Sequence, residues 1–432
     1  MQVIRYPQRS TWKSIVERPL IEFSSIESQV RSILENVKQY GDHALKKYTL
    51  EFDKVEVDDF SVSAYEIEAA SHNLPEILKK DIQLAKQNIE KFHVLQKELV
   101  KKIETVPGVT CWRKSLPIQR VGLYVPGGSA PLFSTVLMLA VPAKIAGCSE
   151  IILCTPPDKS GRVHPAVLYA ASITGVTNIF KVGGAQAIAA MTFGTSTIPQ
   201  VYKIFGPGNQ YVTVAKQLAT QYGVAIDMPA GPSEVAIFAD ATAHASFVAA
   251  DLLSQAEHGI DSQVFLVTTE EILISAVLEQ LEKQLSELPR AEIARQALSG
   301  SKIVLVHDTY EAIELLNEYA AEHLILASDY AEKLAEKIHT AGSVFLGHFT
   351  PESAGDYASG TNHTLPTNAF ARSYSGVSLD SFVKKITFQQ ITPDGIRHLG
   401  PSVERMAEAE GLHAHQKAVR YRLEYLAKQF SA

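Results

Sequence analysis

The sequence predicts an α/β protein made of two parallel-sheet domains, with helical extensions at the N and C termini. Three observations carry this. From residue 120 onward, short apolar runs alternate with helical stretches, the pattern of strands joined by crossover helices. The runs are continuously apolar rather than alternating, so their sheets must be covered on both faces. The first 100 residues and the last 50 or so lack this alternation and read mainly as helix and loop.

Taken in order, Ser24 and Glu27 have capping-box spacing before "SQVRSILENVKQYG", a helix that should close on Gly41. Pro75 opens one long amphipathic helix over residues 75–99. The first α/β series then runs "RVGLYV", "IILCTPP", "NIFKVGG" and "KIFGPGN" as strands, each followed by a helix. A second series begins after Gly231 with "EVAIFAD", and continues with "QVFLVTT", "KIVLVH", "LILA" and "SVFLG". Helices lie between these runs. The two series cover roughly residues 120–234 and 235–350, without a clear internal repeat. After Gly347 the chain becomes loop-rich. The tail should end in one helix over residues 402–429, an arm of a size that suits packing on a partner subunit or on its own domain.

Composition narrows the function. The chain has 432 residues, 46% of them hydrophobic and 20% charged, enough to bury a large core. The net charge of −7 gives no global basic signature for nucleic acid. Three cysteines, Cys111, Cys148 and Cys154, without CxxC spacing argue against a disulfide framework or a thiolate zinc site. A reducing cytoplasm fits best. No apolar run reaches the ~18 residues of a membrane span, and the N-terminus lacks a signal-peptide core.

Ligands of open parallel sheets sit beyond the carboxyl ends of the strands. Three glycine-rich turns follow strands here: "PGGSA" (126–130), "GGAQA" (183–187) and "GPGNQ" (206–210). Glycine lets backbone approach a ligand closely, and a helix N-terminus offers free N–H groups. Such turns need glycine on structural grounds too. "GPGNQY" carries Tyr211 where a dinucleotide fingerprint has its third glycine, so a standard pyrophosphate turn is not supported.

Polar clusters add a second kind of signal. Val248, Leu252 and Gln255 share one helix stripe, and His258 follows a turn later beside Gly259. Gln255 and His258 can therefore face one cleft, although a histidine at a helix end also serves as a dipole partner. "AAEHLIL" sets Glu322 and His323 together before a strand, an acid and an imidazole suited to proton transfer. "ESAGDYASGTNHTLPT" places Asp356, Asn362 and His363 in a long polar loop, and such loops in compact proteins are usually functional. "AEAEGLHAH" offers Glu408, Glu410, His413 and His415, of which the two histidines cannot share a helix face. Together these clusters suit a metal held by imidazole, carboxylate and amide oxygen without sulfur.

These blocks resemble the histidinol dehydrogenase family along nearly the whole chain. The blocks are "VGLYVPGGSAPLFSTVLMLAVPAKIAG", "KVGGAQAIAA", "KIFGPGNQYVT", "AIDMPAGPSEV", "DLLSQAEHG", "EHLILA", "SAGDYASGTNHTLPT" and "AEAEGL…H". The resemblance implies two Rossmann-like domains of the aldehyde/histidinol dehydrogenase kind. It implies an N-terminal arm over 1–22 and a first domain over 23–119 and 235–378 that carries the catalytic and metal residues. A second domain over 120–234 would bind NAD, and a C-terminal helical arm over 379–432 would make dimer contacts. Gln255, His258, Asp356 and His415 would bind one Zn2+ per subunit. Glu322 and His323 would be the catalytic pair. Ser233, His363 and Glu410 would contact L-histidinol beside the zinc ligands and His323. Tyr124, Gln186 and Asn209 would contact NAD. A homodimer would share its active sites through the arm, with no membrane or nucleic-acid partner.

Two rivals share parts of this pattern. A zinc hydrolase would show the same His, Asp and Glu, but not the glycine-turned parallel sheet. A two-lobed binding protein would share the α/β series, but not the Glu322–His323 pair.

Overall fold

The computed structural model describes residues 1–18, 23–127, 131–229 and 231–429, without the side chains of 23–25. The Ser24 cap and residues 128–130 of the "PGGSA" turn therefore lie outside the described residues, as do residues 19–22 of the N-terminal arm. The chain divides into two compact units, one of Met1–Gln96 with Ile118–Phe382, the other of Lys97–Pro117 with Val383–Ala432.

The larger unit holds both parallel sheets. Strand β1 is Gln2–Arg5. The smaller unit contributes β2 (Lys102–Val106) and β3 (Val109–Pro117). The next series is β4 (Arg120–Tyr124), β5 (Glu150–Thr155), β6 (Asn178–Lys181), β7 (Lys203–Phe205) and β8 (Ala225–Ile226). They form a five-stranded sheet in the order β6-β5-β4-β7-β8, every pair parallel. The chain starts at the middle strand, fills one side, then crosses to the other. That reversal leaves a crevice beyond the carboxyl ends of β4 and β7. The helix Phe133–Ala146 on this sheet is apolar all round and buried over Ser134–Ala143, because the helix Glu76–Val94 covers its outer side.

The second series is β9 (Glu234–Ala239), β10 (Gln263–Thr268), β11 (Lys302–Leu305), β12 (His323–Ala327) and β13 (Ser343–Leu346). With β1 it forms a six-stranded, all-parallel sheet in the order β1-β11-β10-β9-β12-β13. All residues of β9 and β12 are buried, as continuously apolar central strands require. The α/β class with parallel sheets is therefore the fold of this chain.

The smaller unit pairs β14 (Val383–Ile391) antiparallel with β3, and β3 with β2. So the tail carries a strand as well as helices, which the sequence reading did not resolve. The expected single helix over 402–429 is two, Pro393–Ala409 and His413–Gln429. Gly411 breaks it at φ +72°, a left-handed stop that glycine takes without a Cβ penalty. The helix expected over 75–99 ends at Val94, two residues before the chain leaves the larger unit after Gln96. The helix expected to be capped by Ser24 already begins at Phe23.

Candidate active site

The two sheets offer different ends to the site. Helix Ala245–Ala256 runs back along β9 and so delivers Gln255 and His258 to the amino edge of the six-stranded sheet. Ser233 immediately precedes β9, and Glu322 immediately precedes β12, whose first residue is His323. The carboxyl-end rule thus does not describe this sheet. The five-stranded sheet follows the rule, with its glycine turns beyond β4, β6 and β7.

At the amino edge, one backbone unit organises the acid and the imidazole. The Glu234 N–H donates to Glu322 Oε2 (2.8 Å), and the Glu234 carbonyl accepts from His323 Nδ1 (3.2 Å). That bond fixes the ring so that Nε2 faces Asp356 Oδ1 at 3.4 Å, and neither atom has a hydrogen-bond partner. Glu234 is itself anchored. Its carboxylate takes two bonds from Arg18 (2.9 and 2.8 Å), whose guanidinium lies 3.6 Å over the Tyr319 ring. Arg18 and Glu234 are both buried, so the pair is stabilising only while both members remain.

Glu352 completes the floor. It is buried, lies 3.6 Å from His323 Nδ1, and stands four residues before Asp356 on one short helix. The Gln255 amide is oriented by its neighbours: its nitrogen donates to Glu352 Oε1 (2.8 Å) and to the Glu234 carbonyl (3.3 Å). This leaves its oxygen toward His258 Nδ1, 3.4 Å away. Asp356 is close enough to the His258 ring for their charges to interact. Its backbone carbonyl faces His363 Nδ1 at 2.8 Å, while His363 Nε2 lies 3.1 Å from Thr135 Oγ1.

Burial pushes the Glu322 carboxyl up to about 8, and burial raises Glu352 as well. Burial alone would favour a neutral His323, but Glu352, Glu322 and Asp356 outweigh it and raise the ring. Three buried or nearly buried carboxyl groups thus converge on one imidazole. Ligand-bearing atoms of His323, Glu352 and Asp356 lie within 4.8 Å of one another. Gln255 and His258 lie beside this group, with the Gln255 oxygen 3.4 Å from His258 Nδ1. Glu352 Oε1 is taken by the Gln255 amide, while Glu352 Oε2 and Asp356 Oδ1 are both buried without a hydrogen-bond partner. Two ligand atoms each about 2.1 Å from a tetrahedral ion stand about 3.4 Å apart. The Gln255–His258 separation matches that, and the orphaned Asp356 Oδ1 supplies a third donor.

At the carboxyl edge of the five-stranded sheet, a groove of about 1160 Å³ is lined by Tyr124, Gln186 and Asn209 together with Pro126, Gly127 and Gly184. Tyr124 is buried, and its hydroxyl accepts from the Gly184 N–H (3.0 Å). Gln186 is buried with its Oε1 unpartnered. Asn209 Oδ1 accepts from the Val212 N–H (3.1 Å), capping the helix after β7. Gly206 sits at φ +123°, and a Cβ there would lie 1.9 Å from the Tyr124 carbonyl oxygen. The buried Lys216–Asp227 pair (2.5 Å) holds this turn, Lys216 donating to the Gly206 carbonyl and Asp227 accepting from its N–H.

A smaller cleft of about 200 Å³ is lined by Asn209, Ser233 and His258, among others, and so joins the two edges. Glu410 and His415 lie in the smaller unit, both exposed. Sequence reading missed Arg18, Glu234 and Glu352. Only Glu352 left a local trace, its i, i+4 spacing to Asp356.

Comparison with known proteins identifies the family. The family model described as histidinol dehydrogenase matches residues 16–423. A histidinol dehydrogenase of Bacteroides thetaiotaomicron is 58% identical over 426 residues, covering 99% of this chain and all of its own. One from Bacteroides fragilis is 59% identical over 429 residues, with the same coverage. The crystal structure of histidinol dehydrogenase from Elizabethkingia anophelis, 57% identical, superposes with a TM-score of 0.97 over 99% of both chains. A family match over residues 16–423 and relatives this similar over nearly the whole chain make it an oxidoreductase that belongs to the histidinol dehydrogenase family.

Proposed function

We propose that this chain oxidises L-histidinol to L-histidine through the aldehyde, using two NAD in sequence, as the last step of histidine biosynthesis. The observation that carries the reading is the position of Asn209 on both cavities. A dinucleotide in the groove and a substrate beside His258 would meet there.

Gln255, His258 and Asp356, with His415 of a second copy, would hold zinc. When bound, zinc supplies a fixed charge that templates the imidazole and amino nitrogens of the substrate. NAD supplies the hydride acceptor, contacted by Tyr124, Gln186 and Asn209. Ser233, His363 and Glu410 would contact the substrate. His323 would be the base: with Asp356 held by zinc it no longer favours a charged ring, Nδ1–H is committed to the Glu234 carbonyl, and Nε2 would take the alcohol proton as hydride leaves carbon. Glu322 positions and activates the water that adds to the aldehyde. His323 takes the second hydroxyl proton as the second hydride leaves, giving the carboxylic acid.

A homodimer is supported by the thin core of the smaller unit. Val109 and Ala407 are its only buried hydrophobic residues among those described, while Ile103, Met406, Tyr421 and Tyr425 are exposed. His258 is also exposed, leaving its side of the donor set open to a further ligand. A cytoplasmic location fits three free cysteines, with burial pushing Cys148 up to about 12. Among the described residues, no helix is long and apolar enough to cross a membrane.

The test is NADH formation from L-histidinol by the purified zinc-loaded protein. Two NADH per histidine formed is the expected result. Absence of NADH from protein that binds both zinc and NADH overturns the reading.

A further inference from the structure

The groove on the five-stranded sheet contains a carboxylate that no donor of the described chain satisfies. Asp53 lines it, its Oδ2 is buried without a hydrogen-bond partner, and burial raises its carboxyl to about 6. A desolvated acceptor facing a ligand groove is a position for a ligand donor. The backbone is unusual at the same point. Thr49–Asp53 forms a turn of π-helix, and Lys54 follows at φ +59°, a conformation that side chains other than glycine rarely take.

Topology says which half of a dinucleotide lies there. Counted from β4, the sheet has the order 3-2-1-4-5, and its reversal is between β4 and β7. Asn209 follows β7, on the side that opens to Ser233 and His258. Asp53 lies on the other side: Ser61 bridges Phe180 and the Phe60 carbonyl accepts from Lys181, so the segment from Asp53 comes in along β6. The reacting end of the dinucleotide belongs at Asn209, which leaves its adenosine half at Asp53. An aromatic surface is ready for the base. Phe52 is 51% exposed and stacks on Tyr48 (5.5 Å between centroids, 7° between planes), and both line the groove.

Two other acids line the groove, Glu51, which is exposed, and Asp158, just past the end of β5. Asp158 is exposed too, and its Oδ1 already accepts from Ser160 N–H, Ser160 hydroxyl and Arg162 N–H (2.8, 2.6 and 3.0 Å), so it builds its own turn.

We propose that Asp53 accepts a hydrogen bond from the adenosine ribose of the bound dinucleotide and repels a 2′-phosphate, making the chain selective for NAD over NADP. This rests on the reading that the groove is the NAD site. The test measures dissociation constants of NADH and NADPH by fluorescence titration on the zinc-loaded protein. Wild type, Asp53→Asn, Asp53→Ala and Gln186→Ala are compared, with thermal midpoints as a folding control. Wild type should prefer NADH. Asp53→Asn removes the charge and should tighten NADPH by roughly tenfold. Asp53→Ala also removes the acceptor and should weaken NADH by roughly tenfold. An unchanged NADH-to-NADPH ratio in both Asp53 variants, with NADH weakened in Gln186→Ala, overturns the role of Asp53 and leaves the groove as the NAD site. NADH affinity unchanged in all three variants overturns the groove reading and the proposal with it.

Discussion

The amino edge of the six-stranded sheet and the carboxyl edge of the five-stranded sheet differ in what they offer a ligand. The carboxyl edge uses backbone. Its glycine turns bring main chain close, and its side chains mostly hold those turns in place, as Lys216 and Asp227 hold Gly206. The amino edge uses buried titratable side chains, each kept in position by another. Glu322 and His323 hang on the Glu234 backbone, Glu234 on Arg18, and the Gln255 amide on Glu352. A backbone site tolerates changes around it as long as the turn survives. A chain of buried charges fails wherever one link is removed.

The predictions sharpen that contrast. The largest effect belongs to His323→Asn, which should reduce turnover by about 10³- to 10⁴-fold with zinc and NADH still bound. Steady-state kinetics beside a metal assay checks it, and near-normal turnover would remove His323 from proton transfer. Next is Arg18→Met, far from the groove. It leaves the buried Glu234 carboxylate unpaired and should cost about 3–5 kcal/mol of stability. Turnover should fall with it while NADH affinity holds, because the groove does not depend on Glu234. Denaturant unfolding and NADH titration separate the two, and an equal loss of NADH binding would erase the contrast between the edges.

Glu352→Leu should weaken zinc by about 10- to 100-fold, since the Gln255 amide loses the acceptor that turns its oxygen toward His258. Competition with a chelator reads this directly. The smallest effect is at the other edge. Burial raises Asp53 from 3.8 to about 6, so the folded chain holds that proton more tightly than the unfolded chain. For this group stability is greatest at pH below about 4 and is lost as pH rises to about 6. Asp53→Asn should therefore stabilise the ligand-free protein by about 1–2 kcal/mol near pH 7 and by almost nothing near pH 4. Unfolding curves at the two pH values test the sign.

The contrast also decides what could be read without coordinates. The nine apolar runs read as strands all form strands of the two sheets, because a strand buried on both faces must be apolar throughout. The glycine turns after β6 and β7 and the placing of Glu322 beside His323 at the start of β12 were legible, since each is a local pattern. Strands β2, β3 and β14 were not, because their residues are largely half-buried or exposed and carry no apolar run. Two-residue β8 is too short to leave one. Arg18, Glu234 and Glu352 were illegible for another reason. Arg18 meets Glu234 across 216 residues of sequence, and nothing beside either one marks it as paired. The use of amino ends by one sheet and carboxyl ends by the other was hidden as well, since it follows from how the sheets meet.

The account stands most directly on the claim that Gln255, His258 and Asp356 of one copy and His415 of another hold one zinc. Mixing inactive His258→Asn and His415→Asn proteins under conditions that exchange subunits tests it. If the ligands come from two chains, half the dimers regain one intact site, and activity should rise to about a quarter of wild type. Exchanged dimers that remain as inactive as either parent would contradict the claim.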